Sequence, residues 1–200
     1  MNEIGECSEL SDREDMKAFC SGEDLALNRL MDRHGERLFH YLIRLLQHET
    51  VAAELAQESF VRVHLHRQSF DRRKKFSTWL YSIATNLARD HWRRLSRHPQ
   101  VSLDVQMSNS GETLANVLPA DQRSPAEELE RQDDARLVRQ AVAELPEELR
   151  TPLVLSEYED MPQAEIAVAL GCNMKAVENR LFRARKRLRA FLSNVSPANL

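Results

Sequence analysis

Apolar residues recur at helical spacing on both sides of one aperiodic stretch, residues 98–124, and that interruption limits what the chain can become. The stretch carries Pro99, Ser102, Ser108, Asn109, Ser110, Gly111 and Pro119, with Pro125 just beyond it. Turn formers without sustained periodicity read as a linker. Upstream, Leu27, Leu30, Met31, Leu38, Tyr41, Leu42, Leu45 and Leu46 follow a helical period, with a break expected near Gly35. Thr50 is expected to open another helix to about His66. Within it Val61, Val63 and Leu65 alternate like a strand, but the longer run Ala52, Ala56, Phe60, Val63 outweighs them. Ser11 and Ser21 are expected N-caps, and Ser77 caps a long helix ending near Ser96.

Downstream, Ser124, Pro125 and Glu127 combine a capping box with proline at the first helical position. Further helices are expected from Pro146, from near Pro162 to Gly171, and from Met174 to about Ser193. Five glycines, seven prolines and 6% aromatics are too few for an all-β sandwich or barrel. The fold expected is all-α: two small helical domains joined by a flexible linker, the C-terminal one containing a helix-turn-helix. The boundaries read as an N-terminal extension 1–22, a first domain 23–97, the linker 98–124, a second domain 125–193 and a tail 194–200.

Net charge is only −3, but its distribution is uneven. Residues 1–59 carry a net −7, residues 60–99 a net +8, residues 100–170 a net −10 and residues 171–190 a net +6. Two basic blocks in an acidic chain are the imprint of a nucleic-acid partner. No apolar run reaches the ~18 residues of a membrane span, and residues 1–10 are acidic where a signal peptide is basic. Direct membrane insertion is not expected. Cys7, Cys20 and Cys172 are odd in number and far apart, which suits a reducing compartment. The expected location is cytoplasmic.

The strongest local pattern is the apolar run 163–170, then Gly171-Cys172-Asn173, then a basic helix. Ala164, Ala167 and Leu170 can pack inward, Gly171 can take positive φ, and Asn173 can cap the second helix. That is a helix-turn-helix. On the second helix Val177, Leu181, Ala184, Leu188 and Phe191 share one face, with Lys175, Asn179, Phe182, Arg183 and Lys186 opposite. A basic, amide-bearing face near a helix start suits the major groove.

On the helix following Ser77, the side Leu80, Ala84, Leu87, His91 and Leu95 is expected to be buried. Trp79, Ser82, Asn86, Asp90, Arg93 and Arg97 line up opposite. Trp79 either stacks on an unpaired base or packs under the loop 68–75. Between Thr50 and His66 the outward stripe Glu54, Gln57, Glu58, Val61 and Leu65 mixes acid, amide and aliphatic groups, which suits a protein partner. Phosphate loops, nucleophile elbows and dinucleotide fingerprints are missing. His48-Glu49 begins like a zinc-protease motif, but Ala52 stands where the second ligand belongs. His34, His40, His64 and His66 have no carboxylate at ligand spacing. No catalytic residue, metal or cofactor is expected.

These features together resemble a bacterial RNA polymerase sigma factor of the extracytoplasmic-function subfamily. Region two is matched by Leu30-Met31-Asp32-Arg33-His34, by residues 54–60 (Glu-Leu-Ala-Gln-Glu-Ser-Phe) and by residues 76–90, from Phe76-Ser77-Thr78-Trp79 to Arg89-Asp90. Region four is matched by Leu145-Pro146-Glu147-Glu148-Leu149-Arg150 and by residues 177–188. The resemblance spans about residues 25–189. It departs from the family pattern at Thr50, Val51 and Ala53, where acids are usual, and at Glu178, where a basic or small residue is usual.

The resemblance implies that residues 23–97 are region two and 125–193 region four. It implies core polymerase binding through Glu54, Leu55, Gln57, Glu58 and Val61, on the clamp helices of the largest subunit. It implies opening of the −10 promoter element by Arg72, Arg73, Lys74, Lys75, Trp79, Asn86, Arg89, Arg93 and Arg97. Reading of the −35 element would fall to Asn173, Lys175, Asn179, Arg180, Phe182, Arg183 and Lys186. The linker would run through the RNA exit path, and an anti-sigma factor, often membrane-anchored, would clamp both domains. No large interface between the domains is expected. Two other readings compete: a helix-turn-helix regulator with a helical sensor domain, and a metal-dependent helical enzyme using the histidines.

Overall fold

The computed structural model describes residues 3–97 and 125–195, and those residues form eight α-helices. The N-terminal half holds α1 (Glu3–Cys20), α2 (Leu25–Leu46), α3 (Glu49–Leu65) and α4 (Phe76–Arg97), with a short 3-10 turn at Arg67–Ser69. The C-terminal half holds α5 (Pro125–Ala143), α6 (Glu147–Glu157), α7 (Gln163–Leu170) and α8 (Met174–Val195). The proposed cap at Ser124 lies outside the described residues.

The residues expected to be a mere extension are part of the first core. In α1, Met16 and Phe19 are fully buried, and their i, i+3 spacing puts them on one face. Asp12 and Asp15 take Arg33 between them, Asp15 also holds Arg29 at 2.6 Å, and His34 bonds Asp12 at 2.8 Å. The histidine thus has a carboxylate that sequence spacing did not reveal. Ser11 sits inside α1, and Ser21 follows it, donating to the Lys17 carbonyl; neither is an N-cap. Helix α2 runs unbroken through Gly35, because Ala26, Leu30, Leu38, Tyr41, Leu42 and Leu45 bury one continuous stripe. A side chain at Gly35 would meet nothing within 4 Å, so that glycine costs helix propensity, about 1 kcal/mol, without breaking the helix.

Helix α3 begins at Glu49, where the His48 ring accepts from the Val51 amide at 3.4 Å. It buries Ala52, Leu55, Ala56, Phe60 and Val63 against α2 and α4. Val61 and Leu65 point outward, as a helix and not a strand demands. In α4 the buried set is wider than one face: Phe76, Thr78, Leu80, Tyr81, Ala84, Thr85, Leu87 and Ala88. The expected inner stripe fails at its end, where His91 is half-buried and Leu95 is exposed.

The reason for the wide burial in α4 is the C-terminal half. Helices α6 and α7 pack directly on α2 and α4, and the buried apolar residues form one cluster across both halves. The sequence led to the opposite expectation. Helix α6 buries Leu149, Thr151, Pro152, Leu153, Val154 and Leu155, and stays helical through Pro152. Helix α7 ends at Gly171, whose φ of 63° is left-handed, the region glycine adopts freely. Asn173 accepts from the Ala176 amide at 2.8 Å and caps α8, as expected. In α7 the inward residues are Ile166, Ala167, Ala169 and Leu170; Ala164 is exposed, contrary to expectation.

Candidate nucleic-acid interface

Helix α8 has the simplest geometry. Val177, Leu181 and Ala184 are buried and seat the helix on α6 and α7. Lys175, Asn179, Phe182, Arg183 and Lys186 are exposed on the opposite side, with Phe182 at 69%. Lys175 is tied at 2.8 Å to Glu178, the residue that departs from the family pattern, and this raises the ammonium's pKa. Arg183 reaches Glu148 at 3.3 Å, an exposed pair of little energetic weight. Arg180 differs from the rest: it is half-buried and lies beside the Cys172 thiol at 3.5 Å. Asn173 commits its amide oxygen to the cap. The outer surface of α8 is therefore cationic and amide-bearing over about three turns, which is what a duplex groove requires.

The residues expected at the −10 element fall into four groups, on α4 and in the loop before it. Asn86, Arg93 and Arg97 are exposed, with Arg93 held at 3.0 Å by Asp90. Arg72, Arg73 and Lys74 are exposed in the loop before it, Arg73 chelated by Asp71 at 3.0 Å and 3.1 Å. Lys75 and Arg89 belong to neither set. Lys75 is paired with Glu9 and, at 2.9 Å, with Glu165 of α7. Arg89 meets Glu147 of α6 at 3.5 Å. Trp79 is half-buried, its ring 5.0 Å from Phe70 and 6.3 Å from Phe76. The packing alternative for this tryptophan describes the structure, and the loop before α4 is what it packs against.

Helix α3 presents Glu54, Gln57 and Val61 outward, with Val61 50% and Leu65 68% exposed. Glu58 is half-buried and bridged to Arg62 at 3.0 Å. Leu55 does not belong with them: it is buried in the core at 8% exposure, one residue round the helix from the open face. Two aliphatic groups left in water beside carboxylates make a surface suited to a protein.

Sequence reasoning missed the seam between the halves. Glu159 lies at its centre with its side chain nearly inaccessible. The Tyr81 hydroxyl donates to Glu159, and Arg37 and Arg44 stand at 3.4 Å and 3.9 Å. Burial outweighs these partners and raises the carboxyl pKa above its usual value. The Arg44 guanidinium also lies over the Tyr158 ring, 4.4 Å from its centre. Thr78 donates to Glu165 at 2.9 Å, and Arg150 donates to the Leu45 carbonyl at 2.6 Å, satisfying an orphan acceptor at the end of α2. The acidic block of the C-terminal half is thus set against bases of the N-terminal half. A cleft of about 420 Å³ opens along the seam, lined by Arg89, Arg93, Glu147, Thr151 and Arg180 among others.

No group of three or more histidine, cysteine or carboxylate side chains suited to a metal occurs among the described residues. No described helix is long and apolar enough to cross a membrane.

Comparison with known proteins agrees on both halves. Residues 30–98 match the family model described as Sigma-70 region 2, and residues 135–188 match Sigma-70, region 4. The chain is 30% identical over 181 residues to the ECF RNA polymerase sigma factor SigW of Bacillus subtilis, covering 90% of this chain and 96% of that protein. It is also 30% identical over 165 residues to the RNA polymerase sigma-H factor of Pseudomonas aeruginosa, covering 82% and 85%. Among solved structures, CnrH in complex with the cytosolic domain of CnrY superposes with a TM-score of 0.68 at 28% identity, over 93% of this chain and 99% of that one. The sigma factor RpoE of Bartonella quintana, in complex with the anti-sigma factor NepR, shares the fold with a TM-score of 0.60 at 19% identity, over 83% and 96%.

Proposed function

The chain belongs to the extracytoplasmic-function RNA polymerase sigma factors, non-enzymatic subunits that direct the polymerase to promoters, and from that premise we propose how its surfaces divide the work. The α3 face of Glu54, Gln57, Glu58 and Val61, extended by Leu65, docks on core polymerase; buried Leu55 holds that face in position. The exposed set Arg72, Arg73, Lys74, Asn86, Arg93 and Arg97 engages the −10 element, with Trp79 offering what its packing on Phe70 leaves free. The α8 face of Lys175, Asn179, Phe182, Arg183 and Lys186 reads the −35 element. An anti-sigma factor covers the α3 stripe, whose exposed Val61 and Leu65 suit a protein partner. Its anchoring in a membrane, and the cytoplasmic location of this chain, are part of the same reading.

One observation carries it. A single chain exposes a basic, amide-bearing helix and, on another helix, an acid-and-aliphatic stripe that DNA cannot use. A helix-turn-helix regulator accounts for the first and leaves the second without a task.

Run-off transcription with purified core polymerase on genomic fragments tests the proposal. Discrete transcripts that need this protein are expected. Core polymerase that neither co-elutes with the protein nor initiates specifically in its presence refutes it. Glu58→Lys, folded by circular dichroism, should weaken co-elution; unchanged co-elution removes α3 from the interface.

A further inference from the structure

Two cations stand outside the division of labour above. Arg89 of α4 and half-buried Arg180 of α8 belong to neither DNA-facing set. Both line the cleft of about 420 Å³ along the seam, and Arg93 lines it with them. Carboxylates account for two of the three. Arg89 meets Glu147 at 3.5 Å, and Arg93 meets Asp90 at 3.0 Å. Arg180 has no carboxylate partner among the described residues; it donates to the Cys172 sulfur at 3.5 Å, a weak acceptor. Charges withdrawn from water are ordinarily paired, so a half-buried guanidinium held only by a thiol is short of an anion.

Helix α6 supplies a second observation. Thr151 lines the same cleft, is 1% exposed, and its hydroxyl has no hydrogen-bond partner among the described residues. A buried hydroxyl without an acceptor is costly, and an oxyanion supplies one. The helix also starts at the cleft, with Glu147 and Glu148, and Pro146 gives it no side-chain cap. Uncapped amides at a helix start carry partial positive charge. Glu148 is engaged by Arg183 at 3.3 Å.

We propose that this cleft binds a small phosphate-bearing molecule, through a diphosphate group held by Arg89, Arg93 and Arg180. Guanidinium forks match phosphate oxygens bidentately. Three forks are more than one phosphate needs, and the volume lies within the range of small-molecule sites. A nucleic-acid backbone carries the same oxyanion chemistry, but each of its diesters brings a single charge, and a diphosphate brings more to one place. The site goes beyond the sigma-factor reading and does not need it, because binding is a property of the free chain. Where that reading also holds, an occupied cleft takes Arg93 from the −10 set.

Isothermal titration calorimetry of the full-length chain with inorganic pyrophosphate, at fixed ionic strength in chloride, tests the site. One saturable site per chain is expected, with inorganic phosphate weaker by about tenfold. Arg180→Gln should weaken pyrophosphate binding by about tenfold or more. Arg187→Gln removes an exposed cation of the same helix that does not line the cleft, and should change binding by less than about twofold. Glu148→Gln, an exposed change, should tighten binding several-fold and covers the case in which Arg180→Gln fails to fold by circular dichroism. Absence of saturable binding by the wild type overturns the site. Equal losses in Arg180→Gln and Arg187→Gln overturn it in favour of diffuse charge, and no tightening in Glu148→Gln overturns its placement at the start of α6. Displacement of pyrophosphate by a non-specific DNA duplex at matched phosphate concentration overturns the small-molecule reading and gives the seat to a nucleic-acid backbone. Failure to co-elute with core polymerase would instead overturn the sigma-factor reading and leave this site standing.

Discussion

Helices α4 and α8 are the same length, 22 residues, and both carry the chain's positive charge, yet they are read from sequence with very different success. Helix α8 packs by one face. Its apolar residues at 177, 181 and 184 go in and its cations, apart from half-buried Arg180, stay out. Helix α4 packs by two, one against α2 and α3 and the other against α7. A single amphipathic division cannot describe a helix held between two partners. The lesson is that helical periodicity locates the inner face of a peripheral helix and under-counts the burial of a central one.

Core truncation should give the largest contrast. Leu181→Ala in α8 removes a fully buried side chain and should cost about 2–5 kcal/mol of unfolding free energy. Leu95→Ala, on the α4 side expected to be buried but 49% exposed, should change stability by less than about 0.5 kcal/mol. Equal losses in denaturant titrations of the full chain would contradict the difference in packing.

Two aromatic residues, one from each helix, sharpen the comparison. Trp79→Ala should destabilise the fold by about 2 kcal/mol, less than the loss for a wholly buried tryptophan, because its ring covers Phe70. Phe182→Ala should leave the unfolding free energy within the ~0.5 kcal/mol typical of surface changes and weaken duplex binding. A melting curve for Trp79→Ala that matches wild type, with promoter opening lost by permanganate footprinting, would return Trp79 to a direct role at the melted strand.

Within α8, Asn179→Ala should relax preference at one or two base pairs, each worth about 1–3 kcal/mol. Arg183→Ala should weaken all duplexes alike and make the salt dependence shallower by about one counterion. A reversed pattern in binding titrations would mean that the helix faces the groove differently.

The smallest effect should come from the α4 seam. Burial in the seam raises the Glu159 carboxyl pKa, so the docked halves bind its proton more tightly than separated halves would. Docking is therefore strongest below the usual glutamate pKa of 4.5 and weakens as pH rises through the raised value. Small-angle scattering should show the radius of gyration increasing in that direction, and Glu159→Gln should flatten the dependence. A slope of opposite sign would show that Arg37 and Arg44 outweigh desolvation.

Much of the fold was legible. Pro146, Pro162 and Gly171 mark helix boundaries because a ring without an N–H and a residue free to take positive φ act locally. Asn173 was legible as a cap for the same reason. Gly35 was misread because a glycine's cost in a helix is small beside the burial of Leu30, Leu38 and Tyr41 on either side. Leu55 was misread because it shares a motif with exposed neighbours, and motif membership does not encode which way a side chain points. Glu159 was invisible: an acid beside Asp160 in an acidic stretch looks solvated until Tyr81, 78 positions away, is brought onto it.

What the sequence alone determined is therefore local and periodic: eight helical segments, two basic blocks, a glycine-hinged recognition helix and membership in a family with two DNA-facing regions. Those properties depend on interactions within a few residues, and the chain carries them wherever it goes. Only the tertiary structure decided that α1 completes the first core, that Lys75 and Arg89 face carboxylates, and that the halves dock through Glu159. Each of those depends on which charged groups are desolvated together, and that is set by the packing of distant helices, which no stretch of sequence holds by itself.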